Sequence, residues 1–283
     1  MKVSFIVLFY VLAHLMVPFA HAQIKTIGVA APVISPAIKV KADESGIKVA
    51  LQHFAEVLDE QLIDAFQNTR KFKIAARSDL KWVIEEQAIS GGDIASADYL
   101  IVPSVLDFTH GVETARFETL GKTVQRINVS FVFLVKIYDT IKGTLIESVE
   151  VEKQQLDVLE NDNPSQFHGV VNPSQSLKLA KSASQEASRR VVDVIYPAKI
   201  IALSNNQITL NRGDGNGVKA GSVWVAYAAG DELIDPDTGV SLGFEEHKIG
   251  EVVVTQVLPK FSKAKSVENF GLKVGTILRL KEQ

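Results

Sequence analysis

The sequence predicts an α+β protein: an amino-terminal α/β sandwich, in which helices pack on a mixed sheet, followed by a small all-β, barrel-like unit. Three observations carry this. Ile47, Leu51, Phe54, Leu58, Leu62, Ala65 and Phe66 step by three and four residues and draw one apolar stripe along a helix. Ile127, Val129, Phe131, Phe133, Val135 and Ile137 share one face of a strand while Arg126, Asn128 and Ser130 begin the other, the period of a half-buried strand. After Pro197 the pattern changes to short apolar runs separated by Gly-rich turns at Arg212–Gly217, Asp235–Gly239 and Gly271.

The elements follow in order. Thr26–Pro32 reads as a buried strand. Asp43, Glu44 and Ser45 supply caps and negative charge for a helix from about Gly46 to Thr69. Phe72–Ala76 is a short strand, and Ser78 caps a second helix from Leu80 to about Ala88, with Leu80, Val83 and Ile84 inward. Asp98–Phe108 is the next strand, where Pro103 predicts an edge or a bulge. Thr123–Tyr138 and Thr144–Gln155 form an antiparallel pair turned by Asp139–Gly143. Polar residues 157–175 read as a loop, and Ser176–Ile195 as the closing helix. The predicted organisation is residues 1–22 as a leader, 23–196 as the α/β domain and 197–283 as the β domain.

The amino terminus carries Lys2, an apolar run from Val3 to Val17, Pro18 and then Ala20-His21-Ala22. A basic start, a short apolar core and an A-x-A exit predict a secretory signal cut between Ala22 and Gln23. The run is shorter than the roughly 20 residues of a spanning helix. Cysteine is absent. Disulfides, thiolate metal sites, cysteine nucleophiles and a lipid on an amino-terminal cysteine are thereby excluded, so the expectation is a periplasmic protein that is not a lipoprotein. With 30 basic against 33 acidic residues the formal net charge is −3, which argues against nucleic acid as partner.

Motifs with chemical potential read as turns. Gly239-Val240-Ser241-Leu242-Gly243 matches a hydrolase elbow in text, but that chemistry needs a strand-to-helix turn and a later acid and histidine. Asp235-x-Asp237 with Glu246 echoes a calcium loop whose sixth position is Val240 instead of Gly. An Asp-rich turn is the favoured account, with weak calcium binding at Asp235–Gly239 as the alternative. Arg212–Gly217 lacks the Gly-Lys-Ser/Thr ending of a phosphate loop. His53, His110, His168 and His247 have no second histidine at helical ligand spacing. No catalytic, cofactor or metal residues are assigned. Trp82 and Trp224 are the candidate protein-binding residues, because Trp is enriched in interface hot spots. If Val223 and Val225 face the core, Trp224 points outward.

Several stretches together resemble the curli secretion channel (CsgG-like) family and the TolB amino-terminal domain. They are Phe72-x-Ile74-x-x-Arg77-x-x-Leu80-x-x-Val83-x-x-Glu86-Gln87, Ala97-Asp98-Tyr99-Leu100-Ile101-Val102-Pro103-Ser104 and Lys136-Ile137-Tyr138-Asp139-x-x-x-Gly143-x-Leu145. Leu210-Asn211-x-Gly213-x-x-x-Gly217-Val218-x-x-Gly221, with Asp235-Pro236-x-Thr238-Gly239 and Ile249-Gly250-x-Val252, is similar to the terminal domain of FlgT. The resemblance implies a non-enzymatic periplasmic assembly or scaffold protein for a curli-like or flagellar machine. It implies no cofactor, and it implies envelope proteins as partners, with a homo-oligomer and peripheral outer-membrane association compatible. The alternative is a subunit of an outer-membrane secretion channel. Thr109–Thr123 lacks the sustained apolar-out alternation of a lipid-facing strand, which favours the accessory role.

Overall fold

The computed structural model describes residues 24–76, 96–117, 119, 122–161, 173–204, 207–239 and 241–281. Among them are three helices and two six-stranded sheets, an α+β architecture as the sequence pattern requires.

The first sheet contains β1 (Thr26–Val29), β2 (Val33–Ile34), β3 (Lys73–Ala76), β4 (Tyr99–Phe117), β5 (Lys122–Asp139) and β6 (Thr144–Asn161), ordered β3-β1-β4-β5-β6. β1 runs parallel to β3 and β4, whereas β4, β5 and β6 form an antiparallel meander. β2 joins β4 at Ser104 and Val105, beyond the end of β1 at Ile101. Pro103 therefore falls between the stretches of β4 that β1 and β2 pair, where the missing N–H is tolerated. The predicted bulge lies a little further on, between Val105 and Asp107. β4 also runs nine residues past the expected Phe108, because pairing with β5 continues to Phe117 whatever the side-chain alternation does.

Two helices replace the single one expected before Thr69. Ser35 caps α1 (Pro36–Glu44), its Oγ accepting the Ile38 N–H at 3.3 Å, with Pro36 at the first helical position. Asp43 and Glu44 close this helix instead of capping the next, and Gly46 at φ 70° breaks the chain. α2 (Lys48–Thr69) then starts at Ile47 without a side-chain cap. Its predicted stripe is buried from Leu51 to Phe66.

α2 and α3 (Pro173–Ile195) cover one face of the sheet. The Phe54 ring lies 4.4 Å from Phe131 and 5.3 Å from Phe108, centroid to centroid. All six alternating residues of β5, from Ile127 to Ile137, are in this core with Val149 and Val151. Burying side chains of this size is worth roughly 1.5–3 kcal/mol each. α3 contributes Ala180, Ala183 and Ala187 with Ser184 and Ser188, small residues that let it lie close to α2. Nothing among the described residues packs helices on the opposite face of the sheet.

The second sheet contains β7 (Ile200–Ser204), β8 (Gln207–Leu210), β9 (Val223–Ile234), β10 (Ser241–Val257), β11 (Ser262–Asn269) and β12 (Ile277–Leu280), ordered β12-β9-β10-β11-β8-β7. It curls until Lys199 meets Ile277 in one isolated bridge. The Ile200 N–H donates to Thr276 O at 3.0 Å and the Leu278 N–H to Ala198 O at 2.8 Å. No continuous ladder closes it, so the sheet is barrel-like without being a closed barrel.

Trp224 corrects an expectation. Val223 and Val225 are the half-buried, outward pair, and Trp224 is 4% exposed in the second core. Period-two alternation holds, with the opposite face inside. The interior positions around it include Ala226 and Ala264, so one large ring fills the space that they leave. Its indole N–H donates to Ser222 Oγ at 3.1 Å, which satisfies the buried donor. Trp82 lies outside the described residues.

Candidate functional site

Two surfaces stand out: a polar seam between the ends of α2 and α3 and the second sheet, and a free arm on that sheet.

The seam is made by the Arg212–Gly217 turn. Arg212 is 1% exposed and its guanidinium donates to Asp193 Oδ1 at 2.7 Å and to the Tyr196 carbonyl, both near the end of α3. Burial lowers the Arg212 pKa and Asp193 opposes that shift; an arginine stays cationic nonetheless. Arg70, in a left-handed conformation at φ 55°, ends α2 and donates to Asp214 Oδ1 at 3.0 Å and to Pro259 O at 2.7 Å. Asn216 Nδ2 donates to Thr69 O at 3.2 Å. Lys71 Nζ donates to the Asn211 carbonyl. Burial, and then the nearby Arg212 cation, lower the Lys71 pKa to about 8. Gly215, at φ 73°, sits so close that a Cβ there would lie 2.2 Å from Asn68 O.

Beside this seam is a cleft of about 630 Å³ between α3 and the strands β9 and β12. Its charges mostly cancel. Arg279 makes two bonds to Glu246, at 2.8 and 3.0 Å, and Arg190 lies 3.8 Å from Glu186. Arg189 has no carboxylate partner among the described residues. Trp224 lines the floor.

The residues weighed from sequence are scattered. Ser241 begins a strand instead of ending one before a helix, and its Oγ accepts the Gly243 N–H at 3.3 Å. Asp235 Oδ1 accepts the N–H groups of Asp237 at 2.8 Å and Thr238 at 3.2 Å, a local turn that lowers its pKa. Glu246, the last place of the imagined calcium loop, is occupied by Arg279. His53 is exposed on α2, His110 and His247 are in different sheets, and His168 lies outside the described residues. No group of three or more metal-ligating side chains comes together among the described residues.

The arm is the outer part of the β9–β10 hairpin. β12 pairs β9 only through Tyr227, and β11 pairs β10 only from Gly250. Ala228–Ile234 and Ser241–His247 pair with each other alone. Leu233, Ile234 and Phe244 near its tip are 47, 52 and 58% exposed. The sequence pattern predicted short strands between Gly-rich turns, not a hairpin of 12- and 17-residue strands that outruns its neighbours, since pairing partners are set by distant segments. The buried Arg212 likewise left no local signal beyond a Gly-rich turn.

No family model matches this chain. An uncharacterised protein of Aquifex aeolicus is 38% identical over 61 residues, which is 22% of this chain and 12% of that protein's length. Protein XCC0632 of Xanthomonas campestris has a TM-score of 0.33 at 10% identity, covering 60% of this chain and 82% of its own. The PelC dodecamer of Paraburkholderia phytofirmans scores 0.27 at 10% identity, over 56 and 84% of the two chains. Lipoprotein GNA1162 of Neisseria meningitidis scores 0.25 at 10% identity, over 58 and 98%.

Two expectations are corrected by these findings. The resemblance to the curli secretion channel family, with its TolB and FlgT counterparts, is not upheld, since no family model matches. Among the described residues, two of its short motifs have a structural account in this fold. Asp139 Oδ1 accepts the N–H groups of Ile141 and Lys142 at 3.0 and 2.9 Å, and Gly143 takes φ 68°. Asp98 accepts the Thr26 N–H at 2.7 Å and pairs with Lys25 at 3.0 Å. The expectation of a periplasmic protein that is not a lipoprotein is also not upheld, since lipoproteins are among the similar structures.

Proposed function

We propose that this chain is a non-catalytic protein of the bacterial cell envelope that works by binding other proteins. The observation that carries this reading is the sheet β4–β5–β6. Its strands are 18 or 19 residues long, and helices cover one face. On the uncovered face Leu156 and Val158 of β6 are 59 and 55% exposed. β6 is also an edge strand, so a long row of backbone donors and acceptors stands beside them. An open edge next to an apolar strip is a template for a partner strand. At the seam Arg212 and Arg70 are paired with Asp193 and Asp214 and Lys71 is bonded to a backbone carbonyl, which suits a structural joint better than acid–base chemistry.

A photo-crosslinking residue at position 156, in cells that make the protein, tests this. Discrete adducts to other envelope proteins, absent when the crosslinker sits at the helical position 52, are expected. Absence of adducts, together with hydrolysis of an ester or phosphate that is lost in Ser241→Ala, would overturn the reading.

A further inference from the structure

We propose that the β9–β10 arm is a self-association element that docks on the shoulder of a second copy of this chain, in a head-to-tail contact. This rests on the reading that the protein acts through protein contacts, and it names one partner.

The arm needs a partner for its own stability. Seven residues of β9 beyond the rest of the sheet, at about 3.3 Å each, project it by roughly 20 Å. A two-stranded ribbon of this kind is marginal in water unless a third surface covers it. Three register shifts, at Ser241/Gly243, Phe244/Glu246 and Lys248/Gly250, twist it away from its own sheet. Its tip exposes Leu233, Ile234 and Phe244 among Asp231, Glu232, Asp235, Asp237 and Glu245. It is apolar and strongly acidic.

A surface of the opposite character lies at the arm's base. The loop from β11 to β12 exposes Phe270 at 74% and Val274 at 60%, and Val267 at the end of β11 is 60% exposed. Lys265 and Lys273 flank these side chains in sequence and form no ion pair among the described residues, while Glu268, the carboxylate of the same stretch, lies 3.5 Å from Lys248. Phe270 is fixed beside the root of the arm, its N–H donating to Ile249 O at 2.9 Å. β11 leaves β10 at Gly250 while the arm runs on to Ile234, so the tip lies roughly 20 Å beyond the shoulder and one molecule cannot satisfy both from within. A second copy can: apolar meets apolar, and the acidic rim meets two free lysines. Because tip and shoulder are different patches, the contact is heterologous and propagates to a ring or a filament.

The test is sedimentation of the purified full chain with Phe244→Asp on the arm and Phe270→Asp on the shoulder. Both side chains are exposed, so circular dichroism should be unchanged. Wild type is expected to assemble, and more weakly in high salt. Each variant alone should weaken association at least about tenfold, and an equimolar mixture should recover a one-to-one dimer through the intact tip of one and the intact shoulder of the other. Lys273→Glu, which leaves the apolar groups in place, should also weaken it. A wild type that stays monomeric, a Phe270→Asp chain that assembles normally, or a mixture that stays monomeric would overturn the proposal. Monomeric wild type that binds anionic vesicles through Phe270 would do the same, by assigning the shoulder to lipid. Position 156 crosslinks would survive each of these outcomes, so the two readings fail separately.

Discussion

Arg212 sits 1% exposed with its guanidinium 2.7 Å from Asp193, joining the turn after β8 to the last turns of α3. The pair is asymmetric: the Asp193 side chain is 47% exposed while the arginine is sealed. Water can therefore solvate a lone aspartate here, but not a lone arginine.

Asp193→Ala should cost more than the surface position of Asp193 suggests, about 2–3 kcal/mol in urea unfolding, since it strands a buried cation. This is below the full cost of breaking a buried pair, because the Tyr196 carbonyl still accepts from Arg212. Adding Arg212→Met to Asp193→Ala should restore much of the loss. A double variant less stable than Asp193→Ala would contradict this account of the seam.

Gly215→Ala and Gly239→Ala separate two kinds of glycine requirement. Both residues have φ near 70°, but Gly215 meets Asn68 O and Gly239 meets nothing. Gly239→Ala should cost about 1–2 kcal/mol from backbone strain alone. Gly215→Ala should cost clearly more and expose the seam to protease, as followed by limited digestion. Equal effects would argue against close contact between the turn and α2.

Lys71 should make stability depend on alkaline pH. Its folded pKa is about 8 against an ordinary value of 10.5, so the unfolded chain holds the extra proton between these values. Unfolding free energy should therefore rise as pH increases through that window, with the lysine's penalty fully present below about 8. Lys71→Met should remove this slope, which urea titrations across the window can measure.

Trp224 should behave as a core residue. In a Trp82→Phe background its fluorescence should be blue-shifted and resist acrylamide. Trp224→Ala should destabilise by about 3–5 kcal/mol through the cavity it leaves. Ready quenching in the folded protein would place the ring on the surface.

Legibility in the sequence followed the range of the interaction. The stripe Leu51–Phe66 and the alternation Ile127–Ile137 were readable because helix and strand periods sort neighbours onto faces within one segment. The break at Gly46 was missed because Asp43, Glu44 and Ser45 are good caps for a following helix, while Ser35-Pro36 were starting an earlier one. The face of Trp224 was inverted because alternation gives two faces and does not say which is inside.

By itself, then, the sequence determined the α+β class, the strand and helix periods, and the turns at Asp139–Gly143 and Asp235–Gly239, all consequences of bonds and steric limits within a few residues. Only the tertiary structure decided that Arg212 would be sealed against Asp193, that Trp224 would fill the second core, and that the β9–β10 arm would outrun its neighbours. Each of these depends on residues brought together from distant parts of the chain, where burial and strand pairing act across space and leave no periodic trace in the sequence.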